Sequence, residues 1–245
     1  MFNFLKPKKK YNPKPNLAFL SADIHNHMLP GVDDGAQNID EALAMAQAYH
    51  ALGIQKIWLS PHINESFPNT TAELQERYQA LRHTLAREYP RMEIYLGAEY
   101  KVDALFKERL AQKDLLTIGE RYVLIELPFL HPPMGWEEQL FQLQMAGYTP
   151  ILAHTERYTY MMDQWDTLME LPGRGIELQL NLLSLDGHYG QPARQLAQKL
   201  IKHQAYQWVA TDAHTARHLH KIESHILPKW PQQLTNEQYQ RNQDL

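Results

Sequence analysis

Asp23-Ile24-His25-Asn26-His27, followed by Pro30-Gly31-Val32-Asp33-Asp34-Gly35, closes the first apolar run of the chain with two imidazoles two residues apart. Side chains alternate along a strand, so His25 and His27 project from one face and can close on one cation. A chain with 13 histidines will show such a pair somewhere. The pair alone therefore does not separate a metal site from two ordinary strand-end residues, and the other strands have to decide.

Apolar, β-branched and aromatic runs predict seven strands, near 20–25, 54–60, 92–98, 121–127, 149–154, 175–182 and 206–211, with helical periodicity between most of them. At their C-terminal ends stand His25 and His27, His62, Glu99, Glu126, His154, and Asp212 with His214. The strand at 175–182 offers only Asn181, and Glu177 and Gln179 read as barrel or surface residues. A lone histidine at a strand end is more often a satisfied core or capping group than a ligand. Eight such residues in register are not, because parallel α/β barrels carry their reacting groups at this end, where loops vary over a packed barrel. The expected fold class is α/β, a distorted (β/α)7 TIM-like barrel.

The helices between the strands carry their own signals. Asn38 is placed to cap a helix from Ile39 to Leu52, with Glu41 as its capping-box partner and Gly53 as the stop. Thr71 to Glu88 and Gln191 to His203 read as two further amphipathic helices. The cluster Tyr158, Tyr160, Met161, Met162 and Trp165 has helical spacing, which suits a core, but follows His154 so closely that it can equally wall a pocket.

With 245 residues and 44% hydrophobic content, one sizeable core is sufficient. The expected division is a mobile basic arm over 1–18, rich in lysine and proline, and a single domain over 19–245; the arm reads as a solubilising tail, and the end from Gln232 onward as a helix or tail without chemistry. A net charge of −4 gives no general basic surface, so nucleic acid is not expected as a partner. No 18-residue apolar run or signal-peptide core is present, so stable membrane insertion is not expected and the reading is cytoplasmic. The absence of cysteine excludes thiolate ligands and any cysteine nucleophile. Imidazole and carboxylate then suit manganese, iron or zinc.

A carboxylate that bridges two cations, here Glu99, lets the pair orient a hydroxide for in-line attack while neutralising the opposing oxygens. Three divalent ions set against Asp34, Glu99, Glu126 and Asp212, with neutral histidines, would leave a surplus of positive charge that favours a phosphate-type anion. Arg157, three residues after His154, adds a bidentate donor for phosphoryl oxygens, with a salt bridge to Glu156 or Asp163 as the structural alternative.

His25-Asn26-His27, Asp34, Ser60-Pro61-His62, Glu99, Glu126, Ala153-His154-Thr155-Glu156-Arg157 and Asp212-Ala213-His214 together resemble the motifs of the PHP (polymerase and histidinol phosphatase) superfamily, over about residues 22 to 228. The Leu-Pro-Gly-Val-Asp-Asp-Gly run and the His-x-Glu-Arg segment are similar to the bacterial PHP-type protein-tyrosine phosphatases of capsule and exopolysaccharide clusters. The resemblance implies three metals, often manganese, and phosphotyrosine of a cognate tyrosine autokinase as substrate. It assigns His25, His27, Glu99 and Asp212 to one ion, His62, Glu99 and His154 to a second, and Asp34, Glu126 and His214 to the third. It makes Arg157, Glu99, His62 and His154 the catalytic set. The family's second phosphate-binding arginine follows the last histidine by several residues; Arg217 stands closer, as its substitute. The rival readings are another PHP phosphoesterase, acting on histidinol phosphate or a nucleotide, and a non-enzymatic regulatory module with structural metals, whose expected loss of ligands is not seen.

Overall fold

The computed structural model describes residues 16–230 and 241–245. Nine parallel strands are found among them: β1 Ala22–Asp23, β2 Lys56–Leu59, β3 His62–Ile63, β4 Glu93–Leu96, β5 Glu99–Lys101, β6 Tyr122–Glu126, β7 Thr149–Leu152, β8 Glu177–Asn181 and β9 Trp208–Ala210. They pair in the orders β1-β2-β4 and β3-β5-β6-β7-β8-β9. These are the seven expected positions, two of them broken: β2 and β3 are halves of one run interrupted at Ser60-Pro61, and β4 and β5 of another interrupted at Gly97-Ala98. Pro61 has no N–H to give to a ladder. The register nevertheless carries across both breaks through Ser60 N to Asn26 O at 3.1 Å, Gly97 N to Leu59 O at 2.8 Å and Glu99 N to Pro61 O at 3.0 Å.

The ring closes between its first and last members. Asn26 bridges Ala213 in parallel, Asp212 N donates to His25 O at 2.8 Å and His27 N to Ala213 O at 2.9 Å. A (β/α)7 barrel closed through so short a contact is distorted at the seam, and the seam carries His25, His27, Asp212 and His214.

Alternate strand residues face opposite ways. Ala22, Ile24, Leu124, Ile151, Trp208 and Ala210 form a small interior cluster, while Val123, Ile125, Leu152, Leu178, Leu180 and Val209 join the larger core under the helices. The helices are α1 Ile39–Ala51, α2 Thr71–Glu88, α3 Ala104–Gln112, α4 Trp136–Met145, α5 Trp165–Glu170, α6 Gln191–Lys202 and α7 Ala216–Lys221. Asn38 caps α1 as expected, its side chain accepting from Glu41 N at 3.0 Å, and Thr70 with Glu73 closes a full capping box on α2.

The expected basic arm falls mostly on residues 1–15, outside the described residues. Leu17, which was assigned to it, is fully buried in the core and donates its N–H to Leu52 O at 2.8 Å, so folded structure begins inside that segment. The expectation for the end of the chain falls partly on 231–240, also outside the described residues. Its last residues are structural. Asn242 is buried at the seam: its Oδ1 accepts from Val209 N at 3.1 Å and its Nδ2 donates to Ala22 O at 3.0 Å and Val209 O at 2.9 Å. Asn242→Ala should strip partners from these buried groups and cost about 1–3 kcal/mol, read as a lowered urea midpoint with unchanged slope. Among the described residues no helix is long and apolar enough to cross a membrane.

Candidate metal centre

All eight strand-end residues, with Asp34 from the loop after His27, meet at one mouth of the barrel. Glu99 lies at the middle. Its Oε2 is 3.2 Å from His25 Nε2, 3.6 Å from His27 Nε2 and 3.1 Å from His62 Nδ1, and its Oε1 is 3.0 Å from His154 Nε2. Asp212 Oδ1 closes the same cluster at 3.3 Å from His25 Nε2 and 3.4 Å from His27 Nε2. Asp34 Oδ1 stands 3.6 Å from His62 Nε2 and 3.4 Å from His214 Nε2.

Ligand-capable atoms gather in four overlapping groups: His25, His27 and Glu99; His25, His154 and Asp212; His62, Glu99 and Glu126; and His27, Asp34, His62 and His214. Glu126, at the end of β6 beside β5, lies 3.8 Å from His62 Nδ1 and 3.9 Å from His154 Nε2, and Asp34 reaches His62 from the loop after His27, so His62 stands within reach of both carboxylates.

The imidazoles are aimed by partners that sequence reasoning missed. Gln179 Oε1 accepts from His25 Nδ1 at 2.9 Å and from His154 N at 3.1 Å. Asp33 Oδ2 accepts from His27 Nδ1 at 2.8 Å and from His62 N at 3.0 Å. His214 Nδ1 donates to Asp212 O at 3.0 Å. With Nδ1 protonated in each, the Nε2 lone pairs of His25, His27 and His214 point into the mouth. Asp33 therefore orients and Asp34 faces the site, and only the second role was read from the Asp33-Asp34 pair. Gln179 is a fully buried barrel residue, as its alternation allowed. Gly35 lets the loop fold back: a Cβ there would lie 2.0 Å from His27 O. His154 and Asp212 both take positive φ, 31° and 48°, a strained backbone for non-glycine residues that turns their side chains across the mouth.

The donor set fits divalent cations. Among the described residues, His25 Nε2, His27 Nε2, His62 Nδ1 and Glu99 Oε2 are buried with no hydrogen-bond partner, a cost that a cation at their common focus removes. The charge balance agrees. Burial, then the neighbouring Glu99, pushes Glu126 up to about 8, and against its own burial Glu99 and then Asp212 raise His25 to about 9, so the cluster draws in protons that a cation would displace. Burial and then Arg157 hold His154 down at about 4, so it is neutral and able to ligate.

Arg157 sits at the edge of this cluster. Its Nη1 donates to Asp212 Oδ2 at 3.2 Å, and its guanidinium lies between Phe129 and Tyr189, 4.0 and 4.2 Å from their ring centres. Asp212 Oδ2 also accepts from Asn181 Nδ2 at 2.7 Å and from Tyr189 OH at 3.3 Å. The expected alternative partner, Glu156, turns the other way, into the core. The mouth opens as a cavity of about 420 Å³ walled by Arg157, Phe129, Tyr189, Phe67 and Lys101 as well as the candidate ligands other than His25 and His27, which are fully buried. The aromatic cluster after His154 is mainly core: Tyr158 and Met161 are buried, and Tyr158 OH accepts from Leu127 N at 2.9 Å. Arg217 does not line this cavity. It is exposed and lines a second one beside it.

Glu156 is fully buried, accepting from Asn181 N at 3.0 Å, Ser184 Oγ at 2.6 Å and Tyr206 OH at 2.9 Å. Burial raises it to about 7 from an ordinary 4.5. The folded chain then holds this proton more tightly than the unfolded chain. Its contribution is complete below about pH 4.5 and is lost as the pH rises through about 7. Glu156→Gln mimics the protonated form, so the variant should gain on the wild type by up to about 3 kcal/mol between pH 4.5 and 8, measured by urea unfolding across that range. A pH-independent difference would contradict this.

Residues 21–236 match the family model for capsular polysaccharide synthesis, CpsB/CapC. The tyrosine-protein phosphatase YwqE of Bacillus subtilis is 32% identical over 197 residues, 80% of this chain and 78% of YwqE. The putative tyrosine-protein phosphatase CapC of Staphylococcus aureus is 31% identical over 79% of this chain and 76% of its own. A solved structure from work on YwqE of B. subtilis and CpsB of Streptococcus pneumoniae, described there as metal-dependent tyrosine phosphatases, superposes with a TM-score of 0.79 at 29% identity, covering 91% of each chain. A histidinol phosphate phosphatase from Lactococcus lactis shares the fold at a TM-score of 0.54 and 17% identity.

Proposed function

The chain belongs to the capsular polysaccharide synthesis CpsB/CapC family, and from that premise we propose that its barrel mouth hydrolyses phosphotyrosine on a protein as a metal-dependent phosphatase, with a single domain that has begun by Leu17 doing so in the cytoplasm on a tyrosine autokinase of capsule or exopolysaccharide synthesis. The observation that carries this reading is the convergence of three unpartnered imidazole nitrogens within 3.6 Å of Glu99 Oε2, beside an arginine clamped between two rings.

His25, His27, His62, His154, His214, Asp34, Glu99, Glu126 and Asp212 would hold three divalent ions in this reading, manganese first and iron or zinc as alternatives, and Glu99 belongs to two of the candidate ligand groups. Bound there, the ions supply positive charge against phosphoryl oxygens and lower the pKa of water. The remaining work falls to the chain. Arg157 donates to the non-bridging oxygens while Asp212 holds one of its nitrogens, and Phe129 and Tyr189 keep its plane fixed and water away from its faces. Gln179 and Asp33 keep the histidine tautomers in the ligating form. The phenol leaves with a pKa of about 10, so little general-acid help is required, and alkyl phosphates should be poorer substrates.

The test is a comparison of a phosphotyrosine peptide, histidinol phosphate and a phosphodiester, after chelation and with manganese restored. Turnover of the peptide well above the other two, present only with metal, is expected. Faster turnover of histidinol phosphate or the diester would assign the site to another phosphoester.

A further inference from the structure

We infer that the second cavity, beside the metal centre, is a subsite for a carboxylate side chain flanking the phosphorylated residue of a protein substrate; this rests on the phosphatase reading above. The cavity measures about 700 Å³ and lies between α1 and α7, with Ala44 on one side and Arg217 and Lys221 on the other. His188, His214, Thr215 and His218 line both this cavity and the 420 Å³ pocket over the metal centre. The two spaces therefore adjoin, and an extended peptide advancing about 3.3 Å per residue carries a neighbouring side chain from one into the other.

The charge of this space selects its occupant. Arg217 and Lys221 bring two full positive charges into the lining of a chain whose net charge is −4. Glu41 is the single carboxylate there, leaving the lining with one formal positive charge in excess, and its oxygens are turned to the start of α1, accepting from Gln37 N at 2.9 Å and Asn38 Nδ2 at 3.3 Å. Lys221 is fixed at the wall by Asp186 at 3.6 Å and by His188 Nδ1 at 3.3 Å, and keeps donors to spare. Arg217 is exposed and makes no ion pair among the described residues. The metal centre and Arg157 attract the phosphoryl group whatever surrounds it, whereas these two cations act only on the neighbouring side chain. They are the chain's means of distinguishing one phosphotyrosine sequence from another.

The probe is a pair of peptides with a non-hydrolysable phosphonomethyl-phenylalanine in place of phosphotyrosine, flanked by glutamate or by glutamine, bound to the metal-loaded protein and read by fluorescence anisotropy. Two partly exposed charge contacts predict a preference for the glutamate peptide of about five- to thirtyfold at low salt. It should fall toward unity in 0.5 M salt and in the double variant Arg217→Gln, Lys221→Gln. Ala44→Glu, which adds a negative charge from the opposite wall on an exposed helix position, should remove or reverse the preference without touching either cation. Equal affinity for the two peptides in the wild type, or an undiminished preference in both variants, overturns the subsite. Failure of the phosphatase reading looks different: no phosphotyrosine peptide would turn over, whatever its flank, while the binding preference stayed as it was.

Discussion

Glu99→Ala should release more than one equivalent of divalent metal and lower phosphotyrosine turnover on the order of a thousandfold or more, since several kcal/mol of charge stabilisation leave with the metals and each 1.36 kcal/mol is a factor of ten. The expectation comes from position. Glu99 Oε2 is within 3.6 Å of His25, His27 and His62, and Oε1 is 3.0 Å from His154, so one side chain serves two of the ligand groups and removing it opens both. Glu99→Gln preserves the volume and separates loss of charge from collapse of the buried site. Elemental analysis gives the answer independently of activity: a variant that retains its full complement of metal would show that Glu99 is not shared. Glu126 supplies a second readout. Burial first and Glu99 second hold it up near 8, so in the metal-free Glu99→Gln protein its titration should move part of the way down toward ordinary carboxylate values, measurable by carbon-detected NMR of the carboxyl.

The eight strand-end residues that meet at the mouth were legible because each stands where an apolar run ends, and strand period and barrel chemistry act over that short range. The breaks at Ser60-Pro61 and Gly97-Ala98 were not, because hydropathy continues through them and only the ladder is interrupted. Gln179 and Asp33 were also missed as partners. A hydrogen bond from His25 to a residue 154 positions away leaves no periodic trace, and a polar residue facing into a barrel looks the same in sequence whether or not it holds an imidazole. The Tyr158 to Trp165 cluster divided by burial, with Tyr158 and Met161 in the core, while the rings on Arg157 came from residues 28 before and 32 after it, Phe129 and Tyr189. Leu17 and Asn242 were read as arm and tail because compositional contrast marks the ends of a chain more readily than a single apolar or amide side chain placed in a seam. The Asn38 cap was satisfied within three residues, and the bounds of α1 and α2 agree between sequence and structure to a residue or so.

Arg157→Ala should keep the fold and the metals and lose most phosphotyrosine turnover. Removing one donor that meets developing charge at a reacting centre costs on the order of 2.7 to 4 kcal/mol, a hundredfold or more in rate. The structure sharpens this beyond a missing donor. Arg157 is bound to Asp212 Oδ2 at 3.2 Å and packed at 4.0 and 4.2 Å from the Phe129 and Tyr189 ring centres, so it is positioned before any phosphate arrives and no rotamer freedom is lost at that step. Asp212 retains Asn181 Nδ2 at 2.7 Å and Tyr189 OH at 3.3 Å when Arg157 is gone, which is why the metal cluster should survive the substitution. Lysine cannot take over: an ammonium lacks the planar fork and the flat faces that the two rings grip, so Arg157→Lys should recover only a small part of the loss. If the lost contact strengthens as charge develops, kcat and kcat/KM fall together; a rise in KM alone would mean that Arg157 only captures the phosphate. A metal-replete Arg157→Ala protein of near wild-type catalytic efficiency would remove the guanidinium from the reaction and leave the cation cluster as the sole phosphate clamp.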